Sequence, residues 1–169
     1  MTDFVPLERW GNFYLVTATA GATLIGLLFV VITLGAERRP EDMGKVRLFL
    51  TPTVVQFCSV LLVGALMTIP EQTASGCGAL LSTVGVIGLG YCAWLATQWR
   101  SAAREGLDAR AVVTHVALPM LTYASLLVGA VVLQSSVRAA LLMVAAATGG
   151  LLLIAIRNSW AVAIHVAAR

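Results

Sequence analysis

The sequence predicts an all-α integral membrane protein: a bundle of five transmembrane helices forming a single domain over residues 1–169. Three observations lead there. Of the 169 residues 59% are hydrophobic and 11% are charged, against roughly 25% charged in an average soluble domain. The apolar residues gather into five stretches of membrane-crossing length without Asp, Glu, Lys or Arg, and strand-like alternation is absent. A hydrocarbon core about 30 Å thick requires roughly 20 apolar residues per helix, with backbone polar groups satisfied within each span.

The first span covers 13–35. Its segment "TATAGATLIGLLFVV" is apolar yet rich in small residues. On a wheel of about 100° per residue, Ala18, Thr19, Ala22, Thr23 and Gly26 share one sector, with Val16, Leu24, Leu27, Leu28 and Val31 opposite. Small residues let helices approach closely in lipid, so the first sector reads as a packing seam, with pore lining as the alternative and the opposite side facing lipid. On this reading Gly26→Leu disturbs assembly or packing, whereas Leu24→Phe is tolerated.

The second and fourth spans, 48–69 and 111–133, carry prolines and polar residues at helical spacing. Pro52, Gln56 and Ser59 share a face, as do His115, Pro119 and Thr122. Proline removes an amide hydrogen from the helical ladder, and in lipid a freed carbonyl needs another donor. These two kinked faces are expected to satisfy one another inside the bundle or to border a wet cavity. His115 is the only ionisable residue besides cysteine and tyrosine within a span. It reads as an interfacial histidine bonded to a neighbouring helix, or as a proton or ligand site at a cytoplasmic mouth.

The third span, 76–97, is glycine-rich, and glycines inside an apolar helix serve close packing rather than phosphate binding. The fifth, 139–156, repeats the small-residue spacing at Ala145 and Gly149 and leads into an amphipathic cytoplasmic tail, 157–169. That tail reads as an extension of the last helix or a helix on the membrane surface. "LLVGA" occurs at Leu61–Ala65 and again at Leu126–Ala130, each after a proline. A tandem duplication of a two-helix hairpin with a fifth helix appended would account for this.

Loop charge sets the orientation. Arg38, Arg39, Lys45, Arg47, Arg100, Arg104, Arg110, Arg157 and Arg169 fall on one side, and Arg9 and Arg138 on the other. Positive residues stay inside, so the N-terminus is expected outside and the C-terminus in the cytoplasm. Trp10 and Tyr14 would mark the outer interface, and Trp94, Trp99 and Trp160 the inner one. No signal-peptide pattern opens the sequence, so the first span is expected to be a retained anchor.

Little in the sequence suggests chemistry. Cys58, Cys77 and Cys92 lack CxxC spacing and neighbouring histidines, so they read as small packing residues and not as metal ligands. No nucleophile has a base at a recognisable spacing, and there is no paired intramembrane carboxylate or nucleotide fingerprint. Glu71, after Pro70, reads as a solvated turn residue, with an outer cation contact as the alternative. A net charge of +3 concentrated in loops suits lipid headgroups rather than nucleic acid. The expected protein is thus a non-enzymatic multi-pass protein of a bacterial inner membrane, with no catalytic, cofactor or metal site. It would act through helix packing as a structural or accessory subunit, in a homo-oligomer or larger membrane complex surrounded by lipid. An oligomeric channel or facilitator is the alternative.

Overall fold

The computed structural model describes residues 5–38, 43–103 and 112–167. The described chain is helical apart from short connections. The helices are α1 (Val5–Arg38), α2 (Met43–Met67), α3 (Ala74–Ala103), α4 (Leu118–Val132) and α5 (Val137–Ala167), with a π-helical turn, Val113–Ala117, leading into α4. Five segments are long and apolar enough to cross a membrane: Trp10–Leu34, Leu50–Met67, Ala74–Trp99, Val113–Val132 and Val137–Ala161.

Connected helices run antiparallel where their contacts are described. Gly21 of α1 lies against Phe57 and Val60 of α2, while Gly64 of α2 lies against Ala18 and Tyr14. In the same sense Gly78, Gly85 and Gly88 of α3 meet Ala130, Leu127 and Tyr123 of α4. The first and last helices run parallel. Tyr14 Oη donates to the Leu141 carbonyl at 3.2 Å, and fourteen residues further along both helices Leu28 and Ala155 share a hydrophobic cluster. The largest core cluster ties Tyr14 to Val63, Leu81, Leu126, Leu141 and Val144, and so engages all five helices.

The connection between α2 and α3 shows how local chemistry ends and restarts a helix. Gln72 Nε2 donates to the Leu66 carbonyl at 2.6 Å, satisfying an acceptor left over at the end of α2. Glu71 takes a left-handed backbone conformation, φ 54°, as the residue after the proline of a type II turn does. Thr73 then caps α3, its Oγ1 accepting from the Gly76 amide at 3.1 Å. Glu71 itself is exposed.

Several sequence expectations change here. Of the two readings of the tail, extension of the last helix is the one seen: α5 continues without a break to Ala167. Tyr14 and Trp99 do not present their rings to an interface but are buried, whereas Trp94 and Trp160 are exposed. Cys77 and Cys92 pack inside, while Cys58 lies on the outer surface. The intervening loops around Arg39 and Arg104 lie outside the described residues. The repeated "LLVGA" glycines occupy different settings. Gly64 packs on the helix before it, and Gly129 on the helix after it, against Met143 and Val144.

Candidate functional site

The two proline-containing faces lie inside the bundle. Pro52, Gln56, His115 and Pro119 are buried, and Ser59 and Thr122 half-buried. Their meeting point is a direct bond between helices. Ser59 Oγ donates to its own helix at the Val55 carbonyl, 2.9 Å, and is 2.7 Å from Tyr123 Oη. Having used its one proton, Ser59 accepts from Tyr123. The Tyr123 ring reaches that position because α3 presents Gly88 beneath it: any side chain at residue 88 would occupy the ring's space. Val60, Cys92 and Leu151 complete the packing around the ring.

At the other end of this face, the π-helical turn and Pro119 disturb the ladder together. The Leu118 amide bonds to the Val113 carbonyl, one residue further back than in an α-helix. In that register the next donor, for Thr114, would be residue 119, a proline with no amide hydrogen. The Thr114 carbonyl instead accepts from Asn158 Nδ2 of α5 at 3.4 Å, and Asn158 is buried. His115, inside the turn, stacks at a tilt against Trp99 with ring centroids 5.3 Å apart. Thr122 turns its hydroxyl back to the Pro119 carbonyl, 2.7 Å, and its methyl toward Gly150 of α5. Asn158→Leu is expected to cost about 1 kcal/mol, the usual net contribution of an intramolecular hydrogen bond. A melting curve in detergent checks this, and a variant as stable as the parent would show that Thr114 is satisfied elsewhere.

The small-residue face of the first span is placed differently from the seam read in the sequence. Ala18 alone is in the interior contact, against Gly64. Thr19, Ala22, Thr23 and Gly26 face outward, and Gly26 has nothing within 4 Å of a Cβ built on it. The helix turns inward the side that carries Tyr14, Thr17, Gly21 and Leu28. Leu24 and Leu28, assigned to lipid by the wheel, pack instead with Leu50 and Phe57. The wheel ranked sides by size; α2 chose among them by shape, since Gly21 offers its backbone an approach that Ala22 does not. Leu24→Phe is therefore a core change, and Gly26→Leu meets open space within the chain.

Sequence reasoning missed Tyr123 and Asn158. Tyr123 belongs to no motif in the sequence, and its only signal is a phenol inside an apolar span, where the hydroxyl needs a partner. Asn158 seemed part of a solvated tail because the last apolar run ends before it. Among the described residues no three of His, Cys, Asp or Glu come together in a way that could hold a metal ion.

What these features define is a class: an all-helical bundle of five membrane-length segments, cross-linked internally by a few polar contacts. Compared with protein-family models, curated proteins and solved structures, the chain has no match.

Proposed function

We propose that this chain is a multi-pass membrane protein, of the bacterial inner-membrane type, with its N-terminus outside and its C-terminus in the cytoplasm. It works through helix packing as a structural or accessory subunit and associates with a second copy through the outer face of α1. The observation that carries this reading is the state of that face. Only 17% of the α1 span is buried, against 50% of the α2 span, so α1 is the helix least used inside the bundle. Its outward threonines spend their protons on their own helix. Thr19 donates to the Leu15 carbonyl at 2.8 Å, Thr23 to Thr19 at 2.9 Å and Thr33 to Phe29 at 2.9 Å. With the hydroxyls bonded back to their own helix, the face offers methyl groups and Gly26, which suits close contact with another helix in lipid. A two-fold dimer, the commonest homo-oligomer, would set this face of α1 against the same face of its copy.

Cysteine cross-linking tests this. In a Cys58→Ser background, Ala22→Cys is expected to give a disulfide-linked dimer in native membranes. Val131→Cys, 69% exposed on α4, is expected to give none. Gly26→Leu, whose Cβ would have nothing within 4 Å, should abolish the Ala22 cross-link without lowering the melting temperature. Absence of the Ala22 cross-link, or equal yields at both positions, would overturn the proposal. A higher-order ring that passes solute in liposome flux assays would favour the channel reading.

A further inference from the structure

Gln56 is the polar side chain that the bundle leaves without an account. It is 2% exposed, yet among the described residues neither its Oε1 nor its Nε2 has a hydrogen-bond partner. A carboxamide removed from water without compensation costs several kcal/mol, and such groups in native interiors point to something that completes them. Tyr91 has the same property: its hydroxyl is buried and has no partner among the described residues.

The two groups are neighbours by helical register. On α2, Gln56 falls between Ser59, bonded to Tyr123, and Val60, packed with Tyr123 and Cys92. On α3, Tyr91 follows Gly88, the residue beneath the Tyr123 ring, by three positions. Gln56 precedes Ser59 by three. Because α2 and α3 run in opposite directions, both steps lead the same way from the Ser59–Tyr123 bond, each by about 4.5 Å along the axis. Tyr91 packs against Leu95 and Trp99 of its own helix and Val116 of the turn that leads into α4. Pro119, which can donate nothing from its backbone, lies one turn from Tyr123 in the same direction on α4.

We infer that α2, α3 and α4 enclose a binding site for one small neutral molecule with the hydrogen-bonding chemistry of water, held by Gln56 and Tyr91 beside the Ser59–Tyr123 pair. The donor set selects this class. Gln56 offers an acceptor and two donors, and Tyr91 one of each. A bare cation takes up lone pairs and leaves the amide hydrogens unmet; an anion cannot give a proton to Oε1. A molecule that both donates and accepts, as water or a small alcohol or amide does, completes both. Buried waters commonly make about three such bonds. The inference is independent of the α1 interface.

The test is nuclear Overhauser transfer from water to the Gln56 side-chain amide in the labelled full-length protein in nanodiscs, with native mass spectrometry of the same preparation. A cross-peak at the water frequency is expected, lost in Tyr91→Phe. Absence of that peak together with a retained solute mass that Gln56→Met removes would assign the site to a small organic molecule of the same class. Absence of both overturns the inference. Melting temperatures add a second reading: Gln56→Met should lower the value if the amide is completed by a guest, and a rise would count against the site because replacing an unpaired buried amide by an apolar isostere is favourable.

Discussion

Gly64→Ala is expected to push α1 off α2 and to be among the most damaging single-methyl additions in the chain. A Cβ at residue 64 would stand 2.6 Å from the Ala18 Cβ and 2.7 Å from the Tyr14 carbonyl oxygen. Neither neighbour is the end of a flexible side chain, so the helices themselves must separate. That movement also strains the bond from Tyr14 to Leu141, the tie between α1 and α5. Overpacking of this kind costs about 1–3 kcal/mol, and Gly64→Ala should fall at the upper end. The proper control is Gly90→Ala, where nothing lies within 4 Å; there alanine should gain about 0.5–1 kcal/mol from helix propensity. Melting in detergent reads both, and equal effects would show that the α1–α2 approach is looser than described. Gly64→Ala with Ala18→Gly should recover part of the loss, since it removes the Cβ clash and leaves the carbonyl one.

Gly88→Ala is expected to be comparably severe by another route. Its new methyl would lie within the space of the Tyr123 ring, which is buried with Val60, Cys92 and Leu151. The ring must leave, and its hydroxyl then parts from Ser59. Tyr123→Phe separates the two contributions. Interhelical hydrogen bonds in membrane proteins average about 0.6 kcal/mol, so Tyr123→Phe should be mild and Gly88→Ala several times worse. Similar losses for the two variants would mean that the bond, not the packing, holds this junction. Shortening the ring should rescue: Gly88→Ala with Tyr123→Leu is expected to be more stable than Gly88→Ala alone.

Both predictions depend on pairs of residues far apart in the sequence, which marks the limit of what could be read beforehand. The spans were legible because each depends on a local quantity, the length of an uncharged apolar run, and lipid imposes that requirement on every helix separately. The breaks at 70–75 and 134–138 were legible for the same reason. Pro52 and Pro119 announced that backbone acceptors would need new donors. Their identity was not legible: Asn158 sits 44 residues from Thr114, beyond what seemed the end of the membrane segment. The inward side of α1 was misread because hydropathy cannot rank the sides of a helix that is apolar all round.

By itself, then, the sequence determined five membrane-length helices and the presence of polar groups that an apolar interior must satisfy. The tertiary structure decided which faces those helices share: Gly21 rather than Ala22 against α2, Tyr123 across Gly88 to Ser59, and Asn158 to Thr114. The division has one physical cause. Entry into lipid depends on summed apolarity, which a linear window measures. Association within lipid has no hydrophobic gradient to follow and depends on the fit of individual surfaces, which exists only once two helices are side by side.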